Sequence, residues 1–212
     1  MIRPGDAILD VGCHPGGWTQ VSVEEVGDEG LVIGVDIKST SPIEGATVLQ
    51  GNIIHKETIE RIEELLDGGQ FNIVLSDISP KLTGRYDTDQ AISLELSTMT
   101  LDVAMDLLAP GGAFVTKIFQ GVGIEGLIKA AKDRFSNVQR FAPMASRNSS
   151  SETYLICRNR LPVPRRPARG ITAFEQVLSH LTEVGINVDE TSTEDEEIEI
   201  IKGFRRLNRN DE

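Results

Sequence analysis

Three charged residues have the right types to carry out proton-transfer chemistry together: Asp77, Lys117 and Glu152, each at or near the end of an apolar run. Such runs predict strands, so the three side chains are expected at strand ends on one edge of a sheet. A neutral lysine accepts a proton from a hydroxyl, and carboxylates hold the lysine and the substrate in place. One charged residue after a strand usually marks where the strand reaches water, whereas three at one edge favour a catalytic site.

A glycine-rich segment at residues 10–20, D-V-G-C-H-P-G-G-W-T-Q, follows the apolar run 7–9 and precedes a helix-compatible stretch. A strand, a tight turn and a helix in this order bring backbone N–H groups to a helix N-terminus, where nucleotide-like ligands bind. The spacing differs from the dinucleotide fingerprint G-x-G-x-x-G, because His14 stands where the second glycine of that fingerprint would be. The glycines alone fit a plain strand-to-helix turn equally well.

A second acidic residue, Asp36, favours the ligand-binding interpretation. It ends the apolar run 31–35, which predicts a second strand. A carboxylate at that position is well placed to accept hydrogen bonds from ribose hydroxyls. The glycine-rich segment and Asp36 together favour an adenosine-containing ligand.

Apolar runs that predict strands alternate with segments of helical period through most of residues 1–160. The strands are predicted at residues 7–9, 31–36, 47–50, 71–76, 113–116, 138–141 and 153–157, and the last two are expected to form a hairpin-like pair. This alternation is typical of an α/β fold with a mostly parallel, doubly wound sheet, here of about seven strands with helices on both faces. Ligands of such sheets bind outside the carboxyl ends of the strands.

The charge of the chain is unevenly distributed. Residues 171–212 hold eleven of the 33 acidic residues but only four of the 21 Lys and Arg, so they contribute −7 to the net charge of −12. Local basic patches for a phosphate-bearing partner are therefore compatible with the acidic total. We predict one domain at residues 1–160, a Pro/Arg-rich linker at 161–170, and an acidic extension with one amphipathic helix at 171–212.

The composition disfavours several classes of protein. No apolar run approaches the length of about 18 residues that a membrane-spanning helix needs, and the first residues lack the apolar stretch of a secretory signal. We therefore predict a cytoplasmic protein without membrane contact. The two cysteines are too few for a disulfide framework, and no Cys/His cluster has metal-ligand spacing, so no metal site is predicted.

Four segments carry a family resemblance: residues 10–20, residues 75–84 (L-S-D-I-S-P-K-L-T-G), residues 115–121 (V-T-K-I-F-Q-G) and residues 146–154 (S-R-N-S-S-S-E-T-Y). In order and spacing they resemble the FtsJ/RrmJ-like (RlmE) ribose 2′-O-methyltransferases, over about residues 4–158. The resemblance implies a Rossmann-like class I methyltransferase fold. It also implies an S-adenosylmethionine-dependent enzyme that methylates a 2′-hydroxyl of RNA, typically a uridine of large-subunit ribosomal RNA in the ribosomal subunit.

The resemblance implies roles for individual residues. Three members of the family's Lys-Asp-Lys-Glu catalytic set match Asp77, Lys117 and Glu152, with Lys117 as the base. The residues expected to bind the cofactor are Asp10, Gly12, Pro15, Gly16, Gly17, Trp18, Asp36, Asn52 and Asp77. Trp18 is expected either to pack on the cofactor or to anchor the first helix. The candidates for contacts with RNA phosphates are Lys38, Lys81, Arg85 and Arg147.

The chain departs from the family pattern at two points. The family's first catalytic lysine lies on a helix upstream of the glycine-rich segment, and the nine residues before Asp10 leave no room for that helix. Either the chain is a shortened version of a longer protein or it lacks that group. Asn52 stands where the family usually has aspartate. Its amide oxygen can still accept a hydrogen bond from the adenine amino group, so weaker cofactor binding, and not its loss, is predicted.

Three alternative functions remain open at this stage. A transfer RNA or cap 2′-O-methyltransferase would use the same catalytic set. A catalytically impaired ribosome-assembly factor that binds S-adenosylmethionine and RNA fits the missing upstream lysine, although the retained Asp77, Lys117 and Glu152 weigh against it. A nicotinamide-dependent dehydrogenase is disfavoured by the absence of G-x-G-x-x-G.

Overall fold

Apolar runs separated by turns and helices form a seven-stranded sheet in this computed structural model, which describes residues 1–80, 82–142, 152–188 and 207–209. The strands are β1 (Ala7–Val11), β2 (Leu31–Asp36), β3 (Thr47–Gln50), β4 (Phe71–Ser76), β5 (Leu108–Phe119), β6 (Phe135–Phe141) and β7 (Glu152–Arg160). The helices are α1 (Gly17–Val26), α2 (Lys56–Leu66), α3 (Tyr86–Leu107), α4 (Ile124–Arg134) and α5 (Ala173–Glu183). A short antiparallel pair, β8 (Ile186–Val188) and β9 (Leu207–Arg209), lies apart from the sheet.

The strands are ordered β3-β2-β1-β4-β5-β7-β6. The first five in this order pair in parallel, and β7 pairs antiparallel with both β5 and β6. The predicted mostly parallel sheet with a closing antiparallel pair is therefore confirmed. Because parallel strands end at the same edge, the carboxyl ends of β1, β2, β4 and β5 meet there. We call this edge the carboxyl edge.

Strand β5 is longer than the sequence predicts, because it begins at Leu108 and not at residue 113. Leu108 pairs with Phe71 before a register shift, and Gly112 allows the two backbones to approach closely there, since a Cβ would lie 2.9 Å from the Asn72 carbonyl oxygen. At its other end β5 continues to Phe119, because the antiparallel neighbour β7 extends past the parallel strands. Lys117 therefore lies inside a strand, two residues before its end.

Helices cover the two faces of the sheet unequally. On one face, α2, α3, α4 and α5 contribute to a large apolar core, with Phe71, Phe114 and Phe135 fully buried in it. On the other face, α1 is the one helix of the described residues that contributes to a smaller apolar cluster, which includes Ile8, Ile73 and Val115. Burial of these side chains is the main favourable term for both layers.

Two buried serines of α3 fix the carboxyl end of β5. The Ser97 hydroxyl donates to the Lys117 carbonyl oxygen at 2.9 Å, and the Ser93 hydroxyl accepts from the Phe119 amide at 3.1 Å. Both serines are less than 5% exposed, so these hydrogen bonds are shielded from competing water. The backbone that carries Lys117 is thereby held against α3.

The described residues after 160 pack against the rest of the chain. The Leu161 amide donates to the Arg134 carbonyl oxygen and the Arg165 amide donates to that of Asp133, both at 2.8 Å. Ala173, Val177 and Leu181 of α5 are fully buried in the large core. Residues 189–206, which belong to the predicted acidic extension, lie outside the described residues. No helix within the described ranges combines the length and the apolar character needed to cross a membrane.

A carboxylate of α3 caps the N-terminus of α5. Asp102 accepts hydrogen bonds from the amides of Ala173 at 2.6 Å and Phe174 at 3.0 Å. Arg134 adds a second attachment, because its guanidinium donates to the Gln176 side-chain oxygen at 2.8 Å and to the Ile171 carbonyl oxygen at 2.9 Å. The pKa of Asp102 lies above its ordinary value because burial raises it. The two amide hydrogen bonds and the nearby Arg134 oppose this change.

We expect the substitution Asp102→Ala to lower the free energy of unfolding by about 1–3 kcal/mol, because two amides at the start of α5 lose their acceptor. Urea unfolding monitored by circular dichroism measures this change. Asp106→Ala is the matched control, since Asp106 is an exposed aspartate one turn further along α3, and we expect it to change stability by less than about 0.5 kcal/mol. Equal effects of the two substitutions would contradict the capping role.

Candidate active site

The turn after β1 depends on a close approach between two backbone segments. Gly12 has φ 78°, and a Cβ there would lie 2.9 Å from the Ile78 backbone nitrogen, which immediately follows Asp77. The Gly12 amide donates to the Val35 carbonyl oxygen at 2.8 Å. Only glycine fits this conformation and this space, so Gly12 holds the ends of β1, β2 and β4 together.

The N-terminus of α1 presents backbone donors that no side chain caps. Gly16 has φ 120° at the N-cap, Gly17 begins the helix, and the first turn contains no acidic residue. Pro15 is exposed, follows a cis peptide bond and leads into this turn. A Cβ on Gly17 would meet nothing within 4 Å, so open space adjoins these donors. Free N–H groups at a helix N-terminus suit a negatively charged ligand group.

Asp36 connects the end of β2 to the glycine-rich turn. Its carboxylate accepts from the His14 amide at 3.0 Å and from the Lys38 amide at 2.8 Å, one hydrogen bond on each oxygen. The side chain is half-buried, and a carboxylate has further lone pairs that ribose hydroxyls can use. The position therefore fits the predicted ribose contact, with the carboxylate already oriented by the protein.

Asp10 lies beneath the turn. It is fully buried, and the Thr19 hydroxyl donates to one of its oxygens at 2.6 Å. Burial raises the pKa of Asp10 to about 6, the Thr19 hydrogen bond lowers it, and the nearby Asp77 and Asp36 charges raise it further. Because Asp10 is fully buried, its effect on a ligand is indirect: it supports the turn through its hydrogen bond with Thr19.

Asn52 follows β3 and uses its side chain within its own turn. Its side-chain oxygen accepts from the Ile54 amide at 3.3 Å, and its side-chain nitrogen lies 3.4 Å from His55 Nε2. The residue is half-buried. The amide oxygen predicted to meet an adenine amino group is thus shared with the local backbone.

Two of the three predicted catalytic residues are in direct contact. The Lys117 ammonium lies 3.0 Å from an Asp77 carboxylate oxygen and donates to the Asp77 carbonyl oxygen at 3.3 Å. The Lys117 side chain is 10% exposed and that of Asp77 35%. The Asp77 amide donates to the Val11 carbonyl oxygen at 3.0 Å, which places the pair beside the end of β1 and hence beside the glycine-rich turn.

Glu152 and Tyr154 reach the same region from β7. Lys117 pairs with Tyr154, and Phe119 pairs with Glu152, so the side chains of Lys117, Tyr154 and Glu152 lie on one face of the sheet. Burial raises the pKa of Tyr154, and the charges of Asp77 and Glu152 raise it further. The tyrosine hydroxyl is therefore close enough to both carboxylates to respond to them.

Tyr154 is a site residue that the sequence analysis missed. Alternation along a strand places residues two positions apart on the same face, so the position of Glu152 was a signal for Tyr154. The rings of Trp18 and Tyr154 are 5.6 Å apart with planes at 34°. Trp18 thus anchors the start of α1 to β7.

The predicted phosphate-binding residues divide into two groups. Lys38 and Arg85 are exposed, Lys38 just after β2 and Arg85 just before α3. Lys81 and Arg147 lie outside the described residues.

Comparisons with known proteins identify relatives of this chain. Residues 1–160 match the family model described as FtsJ-like methyltransferase. A Methanothrix thermoacetophila protein named ribosomal RNA large subunit methyltransferase E is 43% identical over 166 residues, which are 78% of this chain and 64% of that relative. A Chromobacterium violaceum protein of the same name is 39% identical over 160 residues, 76% of this chain and 78% of that relative. This chain therefore spans just under two thirds of the Methanothrix relative.

A solved structure shares the fold. A Plasmodium falciparum protein described as a ribosomal RNA methyltransferase matches with a TM-score of 0.68 at 28% identity, covering 76% of this chain and 90% of that protein. The predicted Rossmann-like class I methyltransferase fold is confirmed.

We expect Gly12→Ala to lower the free energy of unfolding by more than about 2 kcal/mol. The added Cβ would collide with the Ile78 backbone, and alanine is strained at a positive φ. Gly17→Ala is the matched control in the same turn, and we expect it to leave stability unchanged or slightly higher, since alanine favours helix. Urea unfolding tests both variants. Similar losses for both would show that the Gly12 contact with Ile78 does not govern this turn.

We expect Asp10→Asn to change the pH dependence of stability. The pKa of Asp10 is about 6 in the folded protein against an ordinary value of 3.8, so the folded state binds the proton more tightly. The wild type should therefore lose up to about 3 kcal/mol relative to the variant as pH rises from about 4 to above 6. Urea unfolding of both proteins across this range measures the difference. Parallel pH profiles would contradict the raised pKa.

Proposed function

The chain belongs to the FtsJ-like methyltransferase family, and from this we propose that it methylates a ribose 2′-hydroxyl of RNA with S-adenosylmethionine as the methyl donor. The substrate we propose is a uridine of large-subunit ribosomal RNA, within the ribosomal subunit. Relatives named ribosomal RNA large subunit methyltransferase E, at 43% and 39% identity, support this choice. The contact between Lys117 and Asp77 beside the glycine-rich turn is the observation that carries the proposal.

The cofactor pocket is assigned to residues of the turn and the adjoining strand ends. The uncapped amides of Gly17 and Trp18 would meet the carboxylate of the methionine part, and Asp36 would accept hydrogen bonds from the ribose hydroxyls. Gly12, Pro15 and Gly16 shape the turn, and Asp10 supports it from below. When bound, S-adenosylmethionine supplies a methyl group on a positively charged sulfur.

Asn52 and Asp77 complete the pocket. Asn52 follows β3. Its side-chain oxygen accepts one hydrogen bond from the Ile54 amide, and its second lone pair is assigned to the adenine ring. Asp77 is assigned both to the pocket and to the catalytic set, because it lies between the end of β1 and Lys117.

Lys117 is assigned as the base that takes the proton of the 2′-hydroxyl. It accepts a proton only in its neutral form, so the ammonium paired with Asp77 would first release a proton to solvent, and transfer from the 2′-hydroxyl would then restore it. The Asp77 carboxylate at 3.0 Å stabilises that positive charge as it develops. The low exposure of the Lys117 side chain keeps competing water away.

Glu152 and Tyr154 are assigned to positioning the ribose. Both lie on the same face of the sheet as Lys117, and a carboxylate and a phenol can each hydrogen-bond a sugar hydroxyl. Precise alignment matters because displacement at the methyl carbon requires the attacking oxygen in line with the leaving sulfur.

We expect Lys117→Ala to reduce methyl transfer by about 10²- to 10⁴-fold, because the proton acceptor is lost. The assay measures transfer of a labelled methyl group from S-adenosylmethionine to undermethylated large-subunit RNA and to intact subunits, with the label mapped to a ribose 2′-oxygen. Lys129→Ala, at an exposed lysine of α4, is the matched control and should retain wild-type activity within about twofold.

Cofactor binding separates the possible outcomes. Calorimetry with S-adenosylhomocysteine should give similar affinities for wild type and Lys117→Ala. If the wild type binds the cofactor but transfers no methyl group, the result would favour the alternative function, a catalytically impaired ribosome-assembly factor. Label found on transfer RNA or on a cap, and not on large-subunit RNA, would replace the proposed substrate.

A further inference from the structure

Exposed aromatic rings are concentrated around the proposed reaction site. Only 5% of the chain is aromatic, with one tryptophan and two tyrosines, and all three lie at the carboxyl edge: Trp18, Tyr86 and Tyr154. Among the large hydrophobic side chains exposed in the described residues, the only aromatic ones are Tyr86, 52% exposed, and Phe141, 53% exposed. Ring faces open to solvent are available for stacking by the bases of a nucleic acid.

Tyr86 is an exposed ring with a fixed orientation. It is the first residue of α3, and its hydroxyl donates to the Gln120 carbonyl oxygen in the loop that follows β5. This hydrogen bond fixes one end of the side chain while half of its surface stays in contact with solvent. Such a ring loses little conformational entropy when a flat ligand stacks on it.

Phe141 lies in the same row of the sheet as Lys117. Lys117 pairs with Tyr154, and Tyr154 pairs with Phe141, across two neighbouring antiparallel ladders. Directly paired residues project to the same face, so all three side chains share one face. Two strand spacings separate the backbones of Lys117 and Phe141, a distance of about 10 Å. That distance suits a nucleotide adjoining the one whose ribose meets Lys117.

An arginine side chain, Arg85, lies next to Tyr86 in the sequence. Arg85 directly precedes Tyr86, is exposed, and forms no ion pair within the described part of the chain. An aromatic ring beside an arginine is a combination that binds single-stranded nucleic acid, since the ring stacks on a base and the guanidinium meets a phosphate. Tyr86 and Phe141 make no ring contact with each other in the described residues, which favours individual bases over one continuous protein interface.

We propose that Tyr86 and Phe141 are base-stacking platforms for unpaired nucleotides next to the target ribose, with Arg85 contacting the phosphate backbone. This inference rests on the proposed function, because it takes RNA as the substrate. It narrows the substrate to a ribose in an unpaired segment, where bases can leave the helix and stack on protein rings.

Fluorescence anisotropy with a labelled single-stranded RNA of about 12 nucleotides tests the proposal, in the presence of S-adenosylhomocysteine. Tyr86→Ala and Phe141→Ala should each raise the dissociation constant about tenfold. Tyr86→Phe and Phe141→Tyr, which keep a ring, should stay within about threefold of wild type. Val163→Ala is the control, since Val163 is 56% exposed in the segment that bonds to the end of α4.

Three results would overturn the stacking role. These are unchanged affinity in both alanine variants, failure of the wild type to bind the RNA, or equal losses in the alanine and ring-retaining variants. The same RNA annealed to its complement should bind more weakly and respond less to the substitutions. Urea midpoints equal to those of wild type would exclude unfolding as the cause of weaker binding.

The binding assay is independent of methyl transfer. Loss of RNA affinity in the alanine variants of a chain that transfers no methyl group would support the stacking role and reject the proposed enzyme. Alanine variants that transfer the methyl group with unchanged RNA affinity and unchanged KM for RNA would support the proposed enzyme and reject the stacking role.

Discussion

Parallel pairing of β1, β2, β4 and β5 is the constraint on which the site depends. Because these strands point the same way, residues far apart in the chain meet at one edge. Gly12 keeps that edge closed, since only a residue without a Cβ lets the turn after β1 lie against the Ile78 backbone. The hydrogen bond from the Asp77 amide to the Val11 carbonyl oxygen then joins the glycine-rich turn to the segment that carries Asp77.

The charged groups at this edge influence one another. The carboxylates of Asp36 and Asp77 are close enough to Asp10 to raise the pKa of this buried residue. The Lys117 ammonium compensates part of this negative charge through its contact with Asp77. Concentrating like charges at one edge of the sheet costs folding free energy through their mutual repulsion. The large core on the opposite face of the sheet supplies the burial that offsets this cost.

Antiparallel β7 adds what the parallel strands lack. It extends β5 beyond the end of β4 and brings Glu152 and Tyr154 onto the face of Lys117. It also carries Tyr154, whose ring contacts that of Trp18, so the start of α1 is connected to β7 through one aromatic contact. Helix α5, beyond the family match at residues 1–160, packs into the same core as α3 and α4. The helix that holds β5 through Ser93 and Ser97 is therefore itself supported by α5.

The sequence by itself determined the strand and helix order, the glycine-rich turn and the candidate residues Asp77, Lys117 and Glu152, because hydrophobic period and glycine positions are local signals. Only the tertiary structure decided that Lys117 lies inside β5, that Asp77 is its partner and that Tyr154 shares its face. It also decided that Asp10 is fully buried and that Asn52 bonds to its own turn. The reason is physical: strand register and burial depend on pairing between segments distant in the chain, which no local pattern specifies.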